Sequence, residues 1–168
     1  VWCVKTNRAA VIDPGGSHEA VLGEIKRRGL TLDAIWITHG HLDHAGDAAA
    51  LQEATGVDII GPHPEDQFWI DDIPAKGQMY GLPEARSFIP ARWLADGDVL
   101  TLGETNWEVY HCPGHTPGHV IFFNRAARFA QVGDVLFQGS VGRTDFPRSD
   151  HAALIESITE KLWPLGDD

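Results

Sequence analysis

Apolar and polar positions alternate in short runs along most of the chain, and turn-forming residues separate the runs. Residues 2–5 and 9–12 read as two strands joined at the Thr6-Asn7 turn. Asp13-Pro14-Gly15-Gly16 breaks the second strand. Ser17 then stands where an N-cap belongs, and Val21, Leu22 and Ile25 recur at helical spacing until Gly29. Residues 34–38 form an unbroken apolar run, as expected of a strand buried on both faces. An alanine-rich helix is predicted over 43–55, closed by Gly56, with a strand at 58–61. The proline-rich stretch 62–97, which holds Trp69 and Trp93, reads as an irregular insertion with one short helix near 65–70. Strands follow at 99–102, 106–111, 120–123 and 128–132. A last helix covers 149–162, with Leu154, Ile155, Ile158 and Leu162 along one side. Two strand-rich halves with interspersed helices predict an α+β fold of two packed sheets carrying helices on their outer faces.

A length of 168 residues suits one domain over 1–168, and 43% hydrophobic with 22% charged residues is ordinary globular usage. No apolar run reaches the length of a membrane span. The net charge of −11, from 24 acidic and 13 basic residues, disfavours nucleic acid and anionic lipid as partners. Oligomeric state is not legible. Cys3 and Cys112 lie far apart without paired spacing, which suits reduced thiols in the cytoplasm. The chain opens at Val1 in a strand-like run and ends at Asp168 soon after the last helix, so it reads as a fragment cut at both ends.

The chemistry concentrates where the run 34–38 ends, in His39-Gly40-His41-Leu42-Asp43-His44. On an extended backbone, side chains two apart point the same way, so His39 and His41 can chelate one cation together. Asp43 and His44 lie where the chain turns into a helix, so they project differently and reach toward a second cation. Imidazole and carboxylate donors suit zinc, iron or manganese. The absence of cysteine from the cluster argues against a closed structural zinc site. His115, in the Gly/Pro-locked Cys112-Pro113-Gly114-His115-Thr116-Pro117-Gly118-His119 loop, and Asp134, just after an apolar strand, both stand at strand ends. A metal site built on one rim of a sandwich needs its ligands there.

In this order, His39–His44, His115 and Asp134 resemble the successive motifs of the metallo-β-lactamase superfamily, and Val11-Ile12-Asp13-Pro14-Gly15 resembles its first motif. The resemblance implies a four-layer αβ/βα sandwich, incomplete here at both termini, with two divalent metal ions, zinc first, at one edge. It implies that His39, His41 and His115 hold the first metal, Asp43 and His44 the second, and that Asp134 bridges them. Asp43 and Asp134 are thereby the catalytic carboxylates. The family's last motif is a histidine on a strand after the final helix, and no histidine follows His151. The second site is thus one ligand short in this chain.

Within the superfamily the chain is similar to the glyoxalase II-like branch, and to its short single-domain members of the YcbL type, at Phe68-Trp69, at Pro-Gly-His-Thr-Pro-Gly-His and at Val141-Gly142-Arg143-Thr144-Asp145-Phe146-Pro147. That implies hydrolysis of S-2-hydroxyacylglutathione thioesters such as S-lactoylglutathione by a metal-activated water, with Arg143 binding the glycine carboxylate of glutathione. The alternative for Arg143 is an ion pair with Asp145 or Asp150 that holds its own loop. Asp13 and His119 are expected behind the ligands, because ligand histidines usually give their second ring proton to a neighbouring acceptor. Two other functions compete. Persulfide dioxygenases with mononuclear iron share the Gly-Arg-Thr-Asp-Phe segment, whereas His119 favours the hydrolases. A non-catalytic metal-binding domain would keep the fold alone.

Overall fold

The computed structural model describes residues 1–166; Asp167 and Asp168 lie outside the described residues. Strand β2 (Thr31–Trp36) runs parallel between β1 (Arg8–Ile12) and β3 (Asp58–Ile60). Parallel neighbours need a crossover. Helix α1 (His18–Arg28) makes the first, and α2 (Leu42–Ala45) with α3 (Ala48–Thr55) makes the second. The second sheet is an antiparallel meander of β4 (Val99–Leu102), β5 (Thr105–His111), β6 (Val120–Asn124) and β7 (Phe129–Gln131), in that spatial order.

Period-two alternation assigns each strand residue to a layer. Ala34 and Trp36 face the second sheet and meet Leu100, Trp107, Val109, Val120 and Phe122 in the core between the sheets. The Trp36 ring contacts Trp107 edge-on at 5.7 Å and Phe122 at 5.3 Å. Ile35 and Ile37 face the other way, under Leu51 of α3 and Ile70 and Ile73 of α4 (Gln67–Tyr80). Ile121 on β6 lies under Leu154 of α5 (His151–Ser157) and under Ile158 and Leu162, where that helix widens. The layers are therefore helix, sheet, sheet, helix, the αβ/βα sandwich expected. Among the described residues no helix is long and apolar enough to cross a membrane.

Several elements differ from the sequence expectation. Residues 4–6 are a turn, and Trp2 only bridges Ala9, so β1 pairs with β2 rather than with a preceding strand. Ser17 has a left-handed backbone (φ 59°) and makes no capping bond. The Asp47 carboxylate caps α1 instead, accepting the His18 N–H at 2.6 Å. The helix expected over 43–55 is broken at Gly46-Asp47, where Asp47 turns to reach α1. The insertion holds a 14-residue helix, α4, which tolerates Pro74 because Trp69, Ile70, Ile73 and Gly77 form a buried stripe. A hairpin of β8 (Leu136–Phe137) and β9 (Ser140–Val141), unmarked by any alternation, follows Asp134.

Candidate metal centre

Four loops converge at one rim of the sandwich, the first carrying Asp13 just after β1. The end of β2 carries His39 and His41, and α2 begins at Leu42, so Asp43 and His44 lie on its only turn. His115 lies in the β5–β6 loop, and Asp134 follows β7. The ring nitrogens of His39, His41 and His115 gather within 4.8 Å of one another. His41 Nδ1 lies 3.1 Å from His39 Nε2 and 3.0 Å from His115 Nε2.

Hydrogen bonds behind the rings decide what those nitrogens offer. The Arg143 carbonyl can only accept, so His115 Nδ1–H donates to it at 2.8 Å, which leaves Nε2 as a lone pair. Thr38 Oγ1 donates to Asp13 at 2.7 Å and so accepts from His39 Nδ1 at 3.0 Å, which again leaves Nε2 bare. Two lone pairs thus face His41 Nδ1, and a single proton there satisfies at most one of them well. His41 Nε2 is buried with no hydrogen-bond partner among the described residues. One cation would take all three nitrogens. The donors fit a divalent metal.

Asp134 stands on the far side of this tripod, with Oδ2 at 3.5 Å from His115 Nε2 and Oδ1 at 3.2 Å from His44 Nε2. His44 Nδ1 meets Asp13 Oδ2 at 3.1 Å. Asp13 itself has a left-handed backbone (φ 52°), which aims its carboxylate at Thr38 and His44. Asp43 is mostly exposed and its carboxylate is 3.8 Å from His44 Nε2. His119 stacks on His39 at 4.6 Å and accepts the Asp134 backbone N–H at 3.0 Å. All the residues expected at the site are therefore brought together around one rim, with Asp43 the loosest.

Burial drives most of these histidines toward their neutral, lone-pair form. It pushes His39 and His119 well below the usual imidazole range, His41 down to about 3, and lowers His115. Burial also pulls His44 down, but hydrogen bonds to Asp13 and Asp134 outweigh it and raise the ring to about 10. For Asp134, burial is the largest influence and acts upward, but the His44 hydrogen bond and the charges of His44, His115 and His119 together lower the carboxyl.

Asp66 is a site residue that sequence reasoning missed. It is buried beside the histidine loops, and burial raises its carboxyl to about 6 against the pull of its Gly40, Thr116 and Gly118 donors. Nothing in Pro64-Glu65-Asp66-Gln67 announces this, because those donors are 26, 50 and 52 residues away. A separate group, His63, Glu65 and His111, fits a cation poorly. Its two rings are stacked at 4.1 Å and 14°, so their lone pairs run parallel, and His111 Nε2 already donates to the Pro117 carbonyl at 2.8 Å.

The histidine tripod opens into a cleft of about 880 Å³. Trp69, Ile73, Lys76 and Tyr80 of α4 form one wall, and Phe137, Arg143 and Phe146 the other. The Arg143 guanidinium lies over the Phe146 ring at 4.5 Å and pairs with Asp145 through bonds of 2.9 and 2.8 Å.

The family profile of the Metallo-beta-lactamase superfamily matches residues 1–168. The chain is 46% identical over 169 residues to hydroxyacylglutathione hydrolase GloC of Haemophilus influenzae, covering all of this chain and 79% of that protein. Among solved structures, BLEG-1 B3 metallo-beta-lactamase superposes with a TM-score of 0.89 at 34% identity, over 99% of this chain and 80% of that one. TTHA1623 in a di-iron-bound form gives 0.83 at 37% identity, over 92% and 75%. With its layers, its convergent histidines and these relatives, the chain belongs to the metallo-beta-lactamase superfamily, among the glyoxalase II-like members.

Proposed function

We propose that the chain hydrolyses a glutathione thioester of the S-2-hydroxyacylglutathione class, with S-lactoylglutathione as the reference substrate. One observation carries the proposal: three imidazole nitrogens and the Asp134 carboxylate converge at the floor of an open cleft, in a chain similar throughout its length to a hydroxyacylglutathione hydrolase. In this reading His39, His41 and His115 hold one divalent cation, Asp43 and His44 a second, and Asp134 is shared. Zinc suits the donors best, and iron is the metal named for TTHA1623. Bound there, divalent cations lower the pKa of a coordinated water and polarise a carbonyl.

The chain's own residues do the rest. His119 fixes the Asp134 backbone, and Asp13 fixes His44, so both ligands meet the cleft in one orientation. Trp69 and Phe146 supply apolar surface beside the reacting centre. Arg143 binds the glycine carboxylate of the glutathione moiety. Its present partner, Asp145, is two-thirds exposed, and water screens an ion pair that exposed, so a substrate carboxylate can replace it. A departing thiolate, with a parent pKa of about 8.5, needs no strong general acid. A glutathione substrate also suits a cytoplasmic site of action.

BLEG-1 makes lactam hydrolysis the second reading. Elemental analysis of the purified protein, followed by a panel of S-lactoylglutathione, glutathione persulfide with oxygen uptake, and a chromogenic cephalosporin, tests the proposal. We expect bound zinc or iron and turnover of the thioester well above that of the other two. Faster lactam turnover, or persulfide oxidation with one iron per chain, overturns it.

A further inference from the structure

We infer that Asp66 is a positioning residue of the metal centre, whose carboxylate holds the His39–His41 loop and the His115–His119 loop at one fixed separation. The inference rests on reading those histidines as ligands. Asp66 is fully buried. Its Oδ2 accepts the Gly40 N–H at 2.8 Å and the Thr116 hydroxyl at 2.8 Å, and its Oδ1 accepts the Gly118 N–H at 2.6 Å. Gly40 lies between the two first ligands, Thr116 follows the third, and Gly118 precedes His119, which fixes Asp134. One side chain therefore reaches the backbone of every loop that aims an imidazole at the tripod.

The packing leaves this clamp no slack. A Cβ on Gly118 would stand 2.8 Å from both Cβ and Cγ of Asp66. The same residue directly precedes α4, whose Trp69 packs edge-on against His41 at 4.4 Å. It thus sets the cleft wall and the ligands in one register. Metal ligands must be held to within about 0.5 Å of the productive geometry, and loops alone seldom achieve that.

Asp66→Asn preserves shape, but its amide nitrogen cannot accept, so at least one donor loses its partner. We expect the tripod cation to bind about 10- to 100-fold more weakly, measured by competition with a chromophoric chelator. We also expect changed ligand-field bands in the cobalt-substituted protein. Thr116→Val removes one of the three donors and should act in the same direction by a few-fold, about the worth of one such bond. It carries the test if Asp66→Asn fails to fold. Leu102→Ala, in the core between the sheets, should lower Tm while leaving cation affinity and the cobalt spectrum unchanged. Wild-type affinity and spectrum in Asp66→Asn, or in Thr116→Val where only that variant folds, overturn the inference. So does an equal loss of affinity in Leu102→Ala. Should the wild-type protein bind no cation, the ligand reading falls. The clamp is then judged by amide exchange at Gly40 and Gly118, where wild-type protection in the same deciding variant overturns it.

Discussion

Asp134 and Arg143 face the same cleft but should fail differently when substituted. Among the described residues Asp134 is the only carboxylate within 3.5 Å of both His44 and His115, so its charge stands between the two proposed cations. Asp134→Asn keeps the shape and removes that charge. We expect kcat to fall by about 100-fold or more, the scale of losing a group that stabilises developing charge, and metal analysis to show a depleted second site. Near-normal kcat with full metal content would remove the two-cation mechanism. Arg143→Ala acts on binding alone. Its side chain is exposed at the cleft mouth, while the carbonyl that accepts from His115 belongs to the backbone and survives the substitution. Expected is a rise in KM for glutathione thioesters of about 10-fold, the loss of one charge-assisted contact, with kcat little changed. An unchanged KM would assign Arg143 to Asp145 alone. At this scale the candidate ligands were legible because His39–His44 is contiguous and the shared direction of His39 and His41 follows from extended-backbone geometry. The Asp145 partner was anticipated as one of two choices. Asp66 was not legible, since a carboxylate satisfied by backbone amides dozens of residues away leaves no local pattern.

Elements matter here mainly through how closely their ends approach. Gly142, at the exit of β9, passes directly over the Asp134 carbonyl, and a Cβ there would also lie 3.3 Å from His115 Nδ1. Gly142→Ala must therefore push the hairpin exit outward and lengthen the 2.8 Å bond from His115 to the Arg143 carbonyl. We expect a cation affinity about 10-fold weaker, the low end for a lost supporting bond, with Tm lowered by a few degrees. Chelator competition and a thermal melt check both, and an unaltered affinity would mean the hairpin does not support His115. The β8–β9 hairpin itself escaped sequence reading because two-residue strands carry no alternation. Helix α4 was read as one short helix near 65–70 for a different reason. Pro74 and the surrounding glycines argue for breaks locally, but the buried stripe Trp69, Ile70, Ile73 and Gly77 on the β2–β3 face outweighs that propensity. Likewise 43–55 has the composition of one helix, and only the distant demand for a cap on α1 pulls Asp47 out of it. Layers, by contrast, were readable, since the apolar runs at 34–38 and 120–123 specify which strands are central.

For the whole molecule, the proposed cation joins the two halves of the sandwich. His39, His41 and His44 follow the parallel sheet, whereas His115 and Asp134 belong to loops of the antiparallel one. A cation held by both sets binds only when the sheets are docked, so it stabilises the folded chain by mass action. At a free-metal concentration 100 times Kd that stabilisation is about 2.7 kcal/mol, which for a chain of this length shifts Tm by about 5–10 °C. Dialysis against a strong chelator should therefore lower Tm by that much, and stoichiometric zinc should restore it. The restoration should come in two stages. Three converging imidazoles, two of them buried and His41 partly so, should make the first site tight, while the second depends on Asp43, which is mostly exposed and 3.8 Å from His44. A calorimetric titration of the metal-free protein should accordingly resolve one strong and one weaker event. If Tm ignores the chelator although metal is removed, the two sheets are held by the Trp36, Trp107 and Phe122 core alone, and the centre is a passenger on a fold that does not need it.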